Sequence, residues 1–266
     1  MTDAPHRAGG VPLSIMKTEL RGRTVLITGG TSGIGRALAE ELDRRGNTVI
    51  VCGRRTDRLA ELRERHPGIA VHQCDLALDD HRQRLADQLA KEFPSLDMVV
   101  NNAGIQLRSD VSRPIDPARL RAETDVNLIA PTHLTSLLAG QLAGKPGATV
   151  VNVTSALAFA PLVTVAYYSA TKAAVHSLTI SMREQLKELG IRVVEVAPPA
   201  VDTELGGDLR DDPTATHGGM RVAEFVAATV AGLEAGADEI LVGLSQQLKA
   251  DPEGMFDTLN SMFDRG

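Results

Sequence analysis

The segment "YYSATK", residues 167–172, holds both tyrosines of the chain, with a lysine shortly after them. A phenol beside an ammonium is a proton donor and acceptor with its activator at hand. Free tyrosine ionises near pH 10, and bringing that value toward 7 takes roughly 4 kcal/mol of preference for the phenolate, which nearby positive charge can supply. From Tyr168 through Val175 to Leu189 apolar residues recur at helical spacing, and Gly190 ends the pattern. On a helix, residues four apart lie one above the other, while residues five apart diverge. Lys172 stands four after Tyr168 and five after Tyr167, so Tyr168 is the acid/base of such a pair and Tyr167 a wall or packing residue. Taken alone, the pair is equally readable as an exposed contact on one helix face.

A second stretch carries a different chemistry. "TGGTSGIG", residues 28–35, joins a β-branched run to an amphipathic segment through the spacing G-x-x-x-G-x-G, using Gly29, Gly33 and Gly35. Glycines allow the positive φ of a tight turn and let backbone amides approach a phosphate. A helix amino terminus then offers unpaired N–H groups and a favourable dipole to a pyrophosphate. After the next β-branched run come Gly53, Arg54 and Arg55, with no carboxylate. An acidic residue there would hold the ribose hydroxyls of NAD(H), whereas arginine suits the added phosphate of NADP(H), so the residues favour NADP(H) over NAD(H). The bland alternative is that both arginines are solvated charges at a helix start.

These residues need a scaffold, and the rest of the chain supplies its pattern. Short apolar runs recur at 24–28, 48–52, 69–74, 97–101, 148–153, 192–197 and 239–243, with helical periodicity between most of them. In the first such helix Ile34, Leu38, Ala39 and Leu42 fall on one stripe, and Gly46 follows "RR" as a cap. Continuous apolar strands alternating with helices predict an α/β fold: a Rossmann-type doubly wound, seven-stranded parallel sheet with helices on both faces, in a single domain. Such a sheet takes its ligand beyond the carboxyl ends of the strands, where the strand order reverses. The expected organisation is a flexible extension over 1–18, a catalytic domain over 19–245, and a helical tail over 246–266 packed on the same domain. Met16 is an alternative start. Residues 204–219, polar and glycine-rich after a strand, read as a lid or as plain disorder.

Composition narrows the function classes. The net charge of −6, with charges scattered, argues against a nucleic-acid groove or a polybasic membrane contact, and no apolar run approaches the ~20 residues of a membrane span. Cys52 and Cys74 each end an apolar run and form no CxxC, so they read as buried thiols of a reducing cytoplasm. The seven histidines form no ligand-spaced cluster, so no metal is expected.

Several motifs stand in one register: the glycine loop, "NNAG" at 101–104, "VTSALAF" at 153–159, "YYSATK", and "APPAVDT" at 197–203. In this the chain resembles the short-chain dehydrogenase/reductase family from about residue 20 to 245. "GNTVIVCGRR", "NNAGIQ", "ALAFAP" and "APPAVDTE" resemble the DltE-type oxidoreductases within it. The resemblance implies a catalytic set of Asn127, Ser155, Tyr168 and Lys172. Ser155 would hydrogen-bond the substrate oxygen, Lys172 would also hold the ribose hydroxyls, and Asn127 would hold a water relaying protons to Lys172. It likewise implies cofactor contacts from Gly29, Thr31, Ser32, Gly33, Ile34 and Gly35 in the loop, from Arg54 to the added phosphate, and from Asp75 and Leu76 beside the adenine. Asn102, Ala103 and Gly104 form the ribose-side turn, and Pro198, Val201 and Thr203 meet the nicotinamide end. Where the family usually has Pro-Gly, this chain has Pro198-Pro199, a feature shared with DltE-like members. Because proline fixes φ and removes an N–H, that turn must be held differently.

The expected substrate pocket is Gln106, Leu107, Ala156, Leu157, Phe159 and Leu162, apolar but for Gln106. No cation is placed for a substrate carboxylate or phosphate, Arg108 being the one candidate. Together these readings describe an NADP-dependent oxidoreductase that interconverts an apolar carbonyl compound and its alcohol. The alternative is a catalytically quiet NADP(H)-binding sensor or scaffold. A dehydratase or epimerase of the longer relatives is disfavoured, because about twenty residues follow the last strand. The resemblance also implies a homodimer or homotetramer.

Overall fold

The computed structural model describes residues 20–206 and 218–263. The extension expected over 1–18, the alternative start at Met16 and most of the segment expected as a lid lie outside the described residues.

Strands β1 (Thr24–Thr28), β2 (Thr48–Gly53), β3 (Ala70–Gln73), β4 (Met98–Asn101), β5 (Thr149–Val153), β6 (Arg192–Ala197) and β7 (Glu239–Leu241) form one sheet. Its order is β3-β2-β1-β4-β5-β6-β7, and every pairing is parallel. The chain winds outward from β1 to β3, returns to the centre at β4 and winds the other way. The order therefore reverses between β1 and β4, and a crevice opens beyond their carboxyl ends.

Side chains on a strand alternate between faces, so each strand feeds two cores. Val25, Ile27, Val49, Val51, Val194 and Val196 are buried with α1 (Gly33–Arg44), α2 (Thr56–Arg65) and α7 (Val222–Glu234), where Phe225 and Leu233 are fully covered. Leu26, Ile50, Val99, Val150 and Val193 are buried on the opposite face with α3 (Asp79–Glu92), α5 (Ala130–Leu142) and α6 (Ala166–Lys187). A short helix, α4 (Pro117–Thr124), runs into α5 through one π-helical turn, Asp125–Ile129.

A polar row crosses this second face. Asn101 lies opposite Asn152, Asn152 opposite Glu195, and Glu195 opposite Glu239. Asn101 donates to Asn152 Oδ1 at 2.9 Å and to Thr135 Oγ1 at 3.0 Å, and Asn152 donates to Thr179 Oγ1 at 2.9 Å. Glu195 is fully buried, accepts the Thr154 hydroxyl at 2.7 Å and sits 2.8 Å from His176 Nδ1.

A third cluster lies past the carboxyl ends of β5 and β6. The final helices α8 (Leu244–Ala250) and α9 (Phe256–Phe263) place Leu248 and Leu259 against Ala156, Ala160, Leu162, Val165 and the ring of Tyr168.

Candidate active site

The crevice at the switch point is a cleft of about 460 Å³ that runs from the glycine loop to Tyr168 and Lys172. Its floor is set by close packing of backbone. Gly29 adopts φ 65°, and a Cβ there would lie 2.9 Å from Ala103 Cα. A Cβ on Gly35 would lie 2.4 Å from Asn102 Nδ2 and 2.6 Å from Gly29 O, so that residue lets α1 press against the ends of β1 and β4. Thr28 joins the same two strands: its hydroxyl accepts from Asn102 N at 2.9 Å and from Ala103 N at 3.0 Å. The hydroxyl of Ser32, the residue before α1, makes no cap bond to the helix, which leaves the first amides of α1 facing the cleft. Glycines that bare the backbone, a helix start and two arginines at the rim fit a dinucleotide with its phosphates on the loop.

Most residues expected to hold a cofactor line this cleft: Gly29, Thr31, Ser32, Gly33, Ile34, Arg54, Asp75, Leu76, Asn102, Ala103, Gly104, Tyr168, Lys172, Pro198 and Thr203. Two are placed elsewhere. Gly35 lies behind the loop as described, and Val201 is buried in the core of the first face, where it bridges to Met220. Gln106 and Leu107, expected in the substrate pocket, line the same cleft. Ala156, Leu157, Phe159 and Leu162 instead pack in the cluster formed with the tail helices. The wall also includes Arg55, then Glu204 and Leu205 at the start of the segment expected as a lid, and Ile105, Val126 and Thr154, which the sequence did not single out.

At the far end Tyr168 and Lys172 share one face of α6, both 4% exposed, with Nζ 5.7 Å from the centre of the phenol ring. Nζ donates to Val153 O at 2.9 Å, so the end of β5 holds the lysine in place. Ser155 begins the 3-10 turn Ala156–Ala158, its Oγ accepting from Leu157 N at 3.1 Å. Burial pushes the Tyr168 hydroxyl up; the Ser155 side chain opposes this, and Glu123 adds to it. Burial also lowers Lys172 to about 8, against the raising influence of Glu123. Tyr168 is therefore a protonated phenol at neutral pH.

Asn127 lies in the π-helical turn, 2% exposed. Its side chain clamps Ile105 from both sides, donating to its carbonyl at 2.9 Å and accepting from its N–H at 2.9 Å, and donates to Thr171 Oγ1 at 3.1 Å. Four residues on stands Pro131, which has no N–H to give the main-chain carbonyl of Asn127. The double proline is held from outside, since the Pro198 carbonyl accepts from Ala156 N at 2.8 Å and so ties the turns after β5 and β6 together.

Tyr167 is half-buried, its hydroxyl 2.7 Å from Thr124 Oγ1. The fold also assembles a group that linear spacing hides: ligand atoms of His176, Glu195 and Glu239 lie within 4.8 Å of one another. The ammonium of Lys249 already binds both carboxylate oxygens of Glu239 there.

A family model described as short chain dehydrogenase matches residues 23–214. The chain belongs to the short-chain dehydrogenase family. "Uncharacterized oxidoreductase DltE" from Bacillus subtilis is 40% identical over 91% of this chain and 98% of its own length. A short-chain dehydrogenase from Sphingobium yanoikuyae, solved in complex with NADPH, superposes with a TM-score of 0.74 at 28% identity, over 92% of this chain and 96% of that one. One from Burkholderia cenocepacia, solved with NADP, gives a TM-score of 0.74 at 25% identity, over 94% and 100%. This short-chain dehydrogenase is thus an NAD(P)-dependent oxidoreductase of the DltE type. Among its described residues, no helix is long and apolar enough to cross a membrane.

Proposed function

We propose that the protein interconverts an uncharged, largely apolar carbonyl compound and its alcohol, prefers NADP(H), and uses Tyr168 as its acid/base. The observation that carries this reading is the burial of Tyr168 and Lys172 on one helix face lining the cleft, with the ammonium 5.7 Å from the centre of the phenol ring. When bound, the nicotinamide cofactor supplies or takes up the hydride. The loop from Gly29 to Ile34 would hold its diphosphate, Arg54 with Arg55 its ribose phosphate, Asp75 and Leu76 its adenine, Asn102–Gly104 and Lys172 its ribose, and Pro198 and Thr203 its far end. NADPH and NADP in the two similar crystal structures support that cofactor.

In reduction Tyr168 gives its proton to the substrate oxygen while the Ser155 hydroxyl donates a hydrogen bond to the same atom. A proton then returns to Tyr168 through Lys172. The Asn127 side chain is committed to Ile105 and Thr171, so its main-chain carbonyl, which Pro131 cannot reach, is the group that would hold a relaying water. The substrate end is walled by Ile105, Leu107 and Val126 with Gln106. Glu123, 1% exposed, accepts from Leu107 N at 3.2 Å beneath this wall. Ile129 and Ile180, exposed on the π-helical turn and α6, fit a homodimer or homotetramer, and two unpaired buried thiols fit a cytoplasmic setting.

The test is NADPH consumption across ketones, aldehydes and quinones. Turnover by the native protein should fall at least about a hundredfold in Tyr168→Phe, with NADPH binding kept within about twofold. A mutant that retains most of its activity rules out Tyr168. Arg54→Asp should weaken NADPH much more than NADH; equal losses would refute the phosphate assignment.

A further inference from the structure

We propose that Glu204 is a resident competitor for the ribose-phosphate subsite, a carboxylate that a cofactor must displace in order to seat its 2′-phosphate. The inference rests on the NADP(H) reading above and adds to it a residue that tunes selectivity between the two nicotinamide cofactors.

Glu204 comes to the rim of the cleft on the segment after β6, and its carboxylate bridges two guanidinium groups. Oε2 accepts from Arg55 Nη1 at 3.1 Å, and Oε1 accepts from Arg58 Nη2 at 3.2 Å. Arg55 lies across the phosphate loop, since its Nη2 donates to Ser32 Oγ at 2.8 Å and reaches Thr31 Oγ1 at 3.4 Å. The preceding residue rests on the same loop: a Cβ on Gly33 would lie 3.2 Å from Thr203 Cβ and 3.2 Å from its methyl. Glu204, Arg54, Arg55, Thr31 and Ser32 all line one cleft. The carboxylate therefore takes, from the same arginine, the hydrogen bonds a phosphate at this rim would need.

Carboxylate and phosphate are alternative partners for one guanidinium fork. A phosphate monoester carries about −1.5 to −2 charges near pH 7 against the single charge of Glu204, so it wins the arginine but must first break the bridge. Left in place, the carboxylate would also repel it. An adenosine without the 2′-phosphate makes no such demand and leaves the bridge closed. Seating the phosphate and freeing Arg55 from the Glu204 carboxylate thus become one event, which NAD(H) does not trigger. The arginines and Glu204 are all more than a third exposed, so the bridge is weak and its removal leaves the fold intact.

The experiment titrates the full chain and its Glu204→Gln variant calorimetrically with adenosine 2′,5′-bisphosphate and with adenosine 5′-monophosphate. The native protein should bind the bisphosphate more tightly than the monophosphate. Glu204→Gln should tighten the bisphosphate by about three- to tenfold, the scale of one or two exposed ion pairs, and leave the monophosphate unchanged. If the native protein prefers the bisphosphate but the variant binds it equally or more weakly, or tightens both ligands alike, Glu204 is not a competitor and the NADP(H) reading still stands. If the native protein does not distinguish the two ligands, the NADP(H) reading itself fails, and this inference with it.

Discussion

Lys172→Met separates what the lysine does for chemistry from what it costs the fold. Burial lowers the ammonium from 10.5 to about 8. At 1.36 kcal/mol per unit, that displacement means that keeping the charge inside the folded protein costs about 3 kcal/mol. Methionine has a similar length and no charge. Its substitution leaves the Val153 carbonyl without the donor it has at 2.9 Å, a loss of about 1–2 kcal/mol. The variant should therefore be more stable than the native protein at pH 7 by about 1–2 kcal/mol, or ~2–6 °C in melting temperature for a chain of this size. The gap must also depend on pH. Below pH 8 the lysine is charged in both states and the whole burial cost is present. Between about 8 and 10.5 the folded protein has lost the proton while the unfolded chain still holds it, so native stability rises with pH across that window. Urea unfolding at pH 7 and at pH 9.5 is the assay. A methionine variant less stable than the native protein at pH 7, or a gap equal at the two pH values, would refute the reasoning. Activity should meanwhile fall by about a hundredfold or more, which fits a residue kept for its chemistry against the interest of the fold.

Three further changes test other parts of the site. Gly35→Ala puts a methyl 2.4 Å from Asn102 Nδ2 and 2.6 Å from Gly29 O; it should cost about 1–3 kcal/mol and weaken NADPH at least about tenfold, read by melting and by titration. Tyr167→Phe removes a hydroxyl 2.7 Å from Thr124 Oγ1; a loss of about 1 kcal/mol with kcat within about twofold is expected, and a collapse of kcat would move the acid/base role to this neighbour. Leu259→Ala empties a side chain 1% exposed in the cluster that holds the Tyr168 ring; about 2–4 kcal/mol should be lost with a lowered kcat, and an unchanged melting curve would show that α9 does not brace the site.

The strands were legible because a parallel sheet covered on both faces asks for apolar, β-branched residues at nearly every position, and each run in the sequence falls within a residue or two of a strand. The glycine loop and the Tyr168–Lys172 face were legible because their geometry is local. Contacts made at a distance were not. The 3-10 turn begun by Ser155 sets Ala156, Leu157, Phe159 and Leu162 against tail helices about ninety residues later, and nothing in an apolar run tells a pocket wall from a core. Arg54 and Arg55 look alike in sequence, but which of them crosses to Ser32 depends on where two long side chains point. The π-helical turn left one trace, Pro131 four residues after Asn127. His176 and Glu195 meet because α6 lies over β6, a pairing set by tertiary packing.

The polar row from Asn101 to Glu239 bears on how the sheet finds its alignment. Sliding β5 by one residue against either neighbour would swing Asn152 to the face of α1 and α7, away from Asn101 and Thr179, and would turn a valine toward them instead. A run of valines alone could pair with its neighbour in several offsets at similar energy. An amide or carboxylate toward the carboxyl end of each run tolerates one, because a buried polar group without its partner costs about 1–3 kcal/mol. The row thus works as a ruler laid across β4, β5 and β6, which rejects slipped pairings as the sheet forms. The price is a line of polar groups through an otherwise hydrocarbon interior. Thr154, bonded to Glu195 of this row, stands next to Ser155, so an error in alignment would misplace the reacting groups and leave the fold unsatisfied at once.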